Sequence, residues 1–319
     1  MFWKQISANK RATALLVFFM GLLLAATASA FVFLYERDFW WVGAAGAVLF
    51  TLIYAAFLST GGSRSVLTMV GARRATHEED QVLVNVGEEM AIAAGIPMPE
   101  VWVIDDSSPN AFATGWHPRK AAVCFTTGIL KKLDRDELQG VMAHELAHIR
   151  NYDTRLMLTL ALTVGILVML RDSFLRSTRG SRRDSKSGGT GALAIFAILL
   201  IILAPLFAVL LKMAVSRKRE YLADASAVQF TRNPNGLASA LVKIASDPDP
   251  LEAGNHAVEH MFIVNPFDKM SAAINGLFST HPPISQRVLR LKEMGATIAP
   301  EKKEFEGMPE IPVRRPDPD

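Results

Sequence analysis

One cysteine, Cys124, stands in a chain of 319 residues, so no intramolecular disulfide can form, and a reducing compartment suits the protein. Its setting, AAVCF, reads as a strand, where a small packed hydrophobe fits better than a nucleophile. Charge is absent from two long stretches, Thr13 to Tyr35 and Phe39 to Ser59. Each is long enough to cross a hydrocarbon layer of about 30 Å as a helix. The lack of ionisable side chains in these runs weighs against a transporter, which places such groups within its spans. Half the residues are hydrophobic and the formal net charge is only +3; mean hydropathy is +0.22. The expected partner of such a chain is a lipid bilayer, with no nucleic acid.

Tyr35, Trp40 and Trp41 flank the short turn between the two runs, where aromatic belts sit. Lys4, Lys10 and Arg11 make a basic start and Ala28-Ser29-Ala30 looks like a cleavage site. The apolar run continues past it, however, which favours an uncleaved helix over a signal peptide. Basic residues tend to remain in the cytoplasm. Lys4, Lys10 and Arg11 precede the first run, and Arg64, Arg73 and Arg74 follow the second. The expectation is a hairpin over residues 1–60 with both ends cytoplasmic.

Beyond the hairpin, residues 65–98 read as one or two helices, ended at Gly95-Ile96-Pro97. Glu100 to Asp105 alternates like a strand, Ser107 to Asn110 is turn material, Ala111 to Thr114 reads as extended, and Ala121 to Thr126 as a strand. The fold class expected is mainly α with a small β-sheet. A strong helix follows from Asp134 to Asn151, with Asp134 as cap and Glu137 at capping-box spacing.

That helix carries His144-Glu145-Leu146-Ala147-His148. Residues four apart share a helix face, so both imidazoles can bind one divalent ion, and zinc favours such nitrogens. Glu145 sits beside the pair, placed to take a proton from a water on the metal rather than to bind it. Three fixed residues occur by chance, and a polar helix face would show the same letters. The surroundings here are apolar, and burying two histidines and a glutamate without partners would cost several kcal/mol.

A catalytic zinc site keeps three protein ligands and one open position. The stretch SRKREYLADASA offers Glu220 and Asp224, again one helical turn apart. One carboxylate can bind metal while the other accepts a hydrogen bond from a ligand histidine and fixes its tautomer. Ala223 and Ala225 allow a close helix approach. Between His148 and Glu220 lie two further apolar runs, Leu156 to Leu170 and Gly191 to Leu211. Both ligands must reach one metal, so this interval crosses a membrane either twice or not at all. The intervening loop, Arg171 to Gly189, carries six basic and two acidic residues, which resists translocation. Two readings therefore stand, a pair of crossings or a dipping hairpin, with the length of the second run favouring crossing.

HAVEH at His256 to His260 matches an inverted metalloprotease pattern, but it follows turn-rich sequence and is discounted. In THPPISQR, Pro282 and Pro283 impose an extended or turn conformation on the residue before each. His281 and Arg287 there suit oxyanion stabilisation near a metal as well as a loop histidine and a surface arginine.

Taken together, HELAH, REYLADASA, THPPISQR, GEEMAIAAGIPMPEVWVIDD and NAFATG resemble the HtpX family of heat-shock-associated membrane zinc endopeptidases, related to the CAAX prenyl endopeptidases. The resemblance runs from the paired N-terminal runs to Arg287. It implies a zincin-like (gluzincin) fold with one zinc ion (Zn2+) per chain, held by His144, His148 and Glu220, with Glu145 as base. It implies Asp224 as the carboxylate behind the ligands and a transition-state or site-ordering role for His281 and Arg287. Asn110, Ala111, Phe112, Ala113 and Thr114 match an edge strand that binds substrate backbone by strand addition. It further implies a multi-pass protein of the bacterial inner membrane, its site facing the cytoplasm, acting on misfolded or damaged membrane proteins or other unfolded chains. The domain plan is then a hairpin (1–60), a first protease part (61–154), two apolar segments with the basic loop (155–215), a second protease part (216–299) and a loose tail (300–319). A metal-stabilised membrane scaffold and a prenyl-protein processing peptidase are the competing readings.

Overall fold

The computed structural model describes residues 2–163, 217–249, 251, 261–263 and 282–297. His281, His256 to His260, the basic loop, the run Gly191 to Leu211, the last residues of the run Leu156 to Leu170 and the tail from Pro300 lie outside the described residues. The crossing of the interval 155–215 is therefore left where the sequence leaves it.

Helix α1 (Phe2–Tyr35) begins well before the uncharged run. Ala8, Lys10, Arg11 and Ala12 are good helix formers and carry it backward. Asn9, Thr13, Leu16 and Met20 are buried, spaced four, three and four apart, and form one inward stripe. Leu15, Phe18, Phe19 and Leu22 point outward and are exposed. A short 3-10 turn (Arg37–Phe39) leads to α2 (Trp40–Thr60). The stretches Ile6–Ala26 and Arg37–Thr60 are long and apolar enough to cross a membrane. The two helices approach closely: a Cβ on Gly43 would meet the Ala28 carbonyl oxygen at 2.4 Å. Small residues at such a crossing are what helix association in lipid uses.

Helix α3 (Gly62–Met69) leads to a two-residue strand β1 (Arg73–Arg74), and α4 (Gln81–Ala94) ends at Gly95, which takes the left-handed conformation that glycine adopts without strain. The sequence suggests helices throughout 65–98, so β1 is a correction. Its two exposed arginines carry no alternation, and only pairing with a neighbour reveals it. Strands β2 (Glu100–Ile104), β3 (Ala111–Gly115) and β4 (Ala121–Thr126) complete a mixed sheet in the order β1-β2-β4-β3. β2 and β4 run parallel, and β3 returns antiparallel along β4. Cys124 is buried in β4 as a packed side chain, and burial pushes its thiol pKa up.

Thr126 caps the short helix α5 (Thr127–Lys132). Helix α6 (Arg135–Arg150) then starts at the expected capping box: Asp134 accepts from the Glu137 N–H, and Glu137 accepts from the Asp134 N–H, both at 2.9 Å. After a turn at 151–152, a further helical stretch, α7, covers 153–163. Helices α8 (Arg217–Thr231), α9 (Pro234–Ser246) and α10 (Ile284–Glu293) complete the described elements. The sheet separates two cores. On one face Val123, Phe125 and the alanines of β3 pack with α4, α6, α9 and α10. On the other, Phe112, Ala122 and Cys124 pack with the middle of α1, the last turns of α2, α3 and α7. The sheet thus joins the apolar hairpin to the helices that carry the motif.

Candidate active site

The motif helix α6 lies in the middle of the first core, with Val141, Met142, Ala143, Leu146, Ala147 and Ile149 all buried. Alanines make room for its polar face. Ala143 and Ala147 on α6 and Ala223 and Ala227 on α8 are fully buried, which lets the two backbones approach. His144, His148 and Glu220 thereby converge, with one ligand atom from each lying within 4.8 Å of the others. The distances are 3.2 Å between the two Nε2 atoms, 3.5 Å from His148 Nε2 to Glu220 Oε1, and 3.7 Å from His144 Nε2 to Glu220 Oε2.

The far side of each imidazole is also engaged. His144 Nδ1 lies 3.0 Å from Asp224 Oδ1, and His148 Nδ1 lies 3.0 Å from Asp153 Oδ2. A carboxylate only accepts, so each Nδ1 carries hydrogen and donates. Each Nε2 is left with its lone pair turned to the other and to Glu220. Two lone pairs at 3.2 Å repel unless a proton or a metal ion stands between them. Tetrahedral zinc with Zn–N of about 2.0–2.1 Å sets two nitrogens about 3.3 Å apart, so the donor set fits such an ion in both chemistry and spacing.

The electrostatics point the same way. Burial, with the Arg287 charge beside it, pushes the His144 pKa down to about 4. Burial also disfavours charge on His148, but the hydrogen bond to Asp153 and the carboxylates of Glu220, Asp153 and Glu145 outweigh it and raise that pKa to about 9. The pocket therefore stabilises one positive charge among these groups. Burial lifts Glu145 to about 7, against the pull of the His148 charge, and Glu220 adds to the rise.

Arg287 is fully buried, which removes the surface-arginine reading. Its guanidinium forks onto Asp224, with Nε at 3.0 Å from Oδ2 and Nη2 at 2.7 Å from Oδ1. Nη1 lies 3.7 Å from Glu220 Oε2. A buried carboxylate requires partners on both oxygens, and Arg287 with His144 supplies them to Asp224. Arg287 thus contacts both acidic residues of α8 and His144 of the motif helix. His281, its suggested companion, lies outside the described residues.

Strand β3 stands at one edge of the sheet. Asn110 turns its carbonyl to β4, accepting from the Thr126 N–H at 3.0 Å. By alternation Ala111, Ala113 and Gly115 direct their backbone groups outward. Along that edge the Ala113 N–H donates to Glu145, Gly115 accepts from Thr154 Oγ1 at 2.9 Å, and Ala111 accepts from the Ile263 N–H at 2.9 Å. The edge therefore runs past Glu145, while the chain's own Ile263 occupies it at Ala111.

Asp153, Arg219 and Asn9 adjoin the site and were not singled out by the sequence reading. Asp153 follows the motif helix by one turn, and that proximity was the available signal. Asn9 carried a weaker one, a polar residue at the head of an apolar helix.

A family profile described as Peptidase family M48 matches residues 77–295, which include every candidate ligand. The chain is 44% identical over 294 residues to a "Protease HtpX homolog" of Dictyoglomus thermophilum, covering 92% of this chain and 95% of that protein. A second, from Dictyoglomus turgidum, is 45% identical over 295 residues with the same coverage. A third, from Listeria monocytogenes, is 41% identical over 312 residues, covering 92% of this chain and all of that one. Among solved structures, that of S. mikatae Ste24p is 16% identical with a TM-score of 0.48, covering 90% of this chain and 66% of that chain.

Proposed function

The chain belongs to peptidase family M48, and we propose that it is a zinc-dependent endopeptidase of the gluzincin kind, anchored in the bacterial inner membrane and cutting misfolded or damaged membrane proteins on the cytoplasmic side. One observation carries the reading: the Nε2 atoms of His144 and His148 converge with the Glu220 carboxylate, beside a buried Glu145.

A zinc ion held by these three residues supplies an acidified water and a Lewis acid for the peptide carbonyl. The protein's own groups do the rest. Asp224 and Asp153 hold the two imidazoles in the tautomer that presents Nε2. A substrate strand laid along β3 meets the outward groups of Ala113, beside Glu145, and takes over the Ala113 N–H. Glu145, so released, accepts the proton of the attacking water and returns it to the leaving amine. His281, on the segment before α10, is suited to hold the developing oxyanion.

Orientation rests on charge. The head of α1 touches α7 and α8 through Asn9, which supports a site on the same side of the membrane as the basic N-terminus. Lys4, Lys10 and Arg11 favour the cytoplasm for that side. The substrate assignment rests on the family and on an extended backbone-binding edge, which takes any unfolded chain.

Digestion of casein by the detergent-solubilised full-length protein tests the reading. Cleavage is expected to stop on chelation and to return with zinc but not with magnesium, which prefers six oxygen ligands. Cleavage that survives complete metal removal would overturn it.

A further inference from the structure

We propose that Asn9, on the first apolar helix, is a positioning residue for the metal centre: its amide fixes the Asp153 carboxylate, which in turn fixes the His148 imidazole. The proposal rests on the reading of His148 as a metal ligand and extends that site into the membrane hairpin.

Asp153 is fully buried at the start of α7. Its Oδ2 accepts from His148, and its Oδ1 lies 2.6 Å from Asn9 Nδ2. A carboxylate with one oxygen on the histidine can still twist about its Cβ–Cγ bond. A second donor on the other oxygen removes that freedom. Asn9 is itself held from three directions. Its Nδ2 also donates to the Asn151 carbonyl at 2.9 Å, and its Oδ1 accepts from Arg219 Nη1 at 3.3 Å. Nitrogen alone can serve the two acceptors and oxygen alone can serve the guanidinium, so the amide has one orientation. Arg219 precedes Glu220 on α8. The single side chain of Asn9 therefore bridges the turn after the motif helix and the helix that carries the third ligand.

Other contacts of α1 fall on the same turn. Tyr152 adopts φ of 60°, a left-handed conformation unfavourable for a bulky residue. Lys10 Nζ stands 4.2 Å above the Tyr152 ring. Leu16, buried against Leu156 and Leu160, continues the contact along α7. A polar side chain near the end of an apolar span is expensive unless it is partnered, and such residues commonly mark function. Asn9 is buried here, with its amide bonded to the turn and to Arg219.

The test is zinc affinity, measured on the full-length protein in detergent by competition with a chromophoric chelator. Wild type is compared with Asn9→Leu, Asp153→Ala, the double variant and His148→Ala. Loss of an outer partner of a ligand histidine weakens metal binding about 10- to 100-fold. Asn9→Leu is expected to weaken zinc by roughly tenfold on that scale, and to add nothing once Asp153 is alanine. Thr13→Val, which removes only a bond to the Asn9 carbonyl within α1, is expected to leave affinity unchanged. A helix that merely docks would lower the melting temperature of the chelated protein and leave zinc affinity as in wild type; that result overturns the proposal. An Asn9→Leu effect that persists in full without Asp153 also overturns it, because Asn9 would then not act through Asp153. If His148→Ala binds zinc as tightly as wild type, the metal-ligand reading fails and the proposal falls with it.

Discussion

Replacing Glu145 with glutamine is expected to lower peptide cleavage by about 10²- to 10⁴-fold, the usual contribution of a positioned general base. The protein should otherwise be unchanged. Glutamine has the shape of glutamate, and its amide oxygen can still accept the Ala113 N–H that meets Glu145. The side chain is buried, so the substitution exchanges a carboxylate that burial destabilises for a neutral group. Stability is expected to hold or rise. The three proposed ligands are untouched, so zinc content is expected to stay as in wild type. The checks are turnover on casein, zinc content and the melting curve, taken on one preparation. A glutamine variant with wild-type turnover would remove Glu145 from the chemistry.

Replacing Glu220 with alanine is expected to act at an earlier step, on the metal itself. Two imidazoles remain, but the only anionic ligand is gone and Arg287, 3.7 Å from the missing carboxylate, is left facing the site. Its positive charge then opposes a divalent cation. The loss of zinc affinity should exceed the roughly 10- to 100-fold that follows loss of an outer partner, and cleavage should fall to background. Asp224→Asn, by contrast, keeps all three ligands and should show only the smaller loss. Zinc content after dialysis separates the two variants, and equal retention in both would contradict the assignment of Glu220.

What the sequence disclosed follows how local each feature is. The motif and its capping box lie within one helix, and α6 places them as the 3.6-residue period requires. Glu220 and Asp224 were legible although 71 residues separate Glu220 from His148, because an acidic pair one turn apart has a recognisable use beside two histidines. The family resemblance drawn from HELAH, REYLADASA and THPPISQR agrees with the matches to family M48 and to the HtpX homologues. The strand at Ala111 to Thr114 was legible from its extended pattern, but its occupation by Ile263 depends on a distant segment.

Other features had no local signature. β1 is two arginines that become a strand only by pairing with β2. The inward stripe of α1 is hidden in a run that is apolar on every face. Arg287 could be assigned to a surface or to a site, and only its burial against Asp224 decides between them. Asn9 and Asp153 meet across 144 positions of chain. Neither residue belongs to a motif, and their connection exists only because α1 folds back onto the turn after α6.

The most direct test of the metal centre is the zinc K-edge absorption spectrum of the wild-type protein. The account predicts a shell of nitrogen and oxygen donors at about 2.0–2.2 Å, with the multiple scattering of two imidazoles and no sulfur. A shell containing sulfur from Cys124, or one with no imidazole scattering, would contradict it.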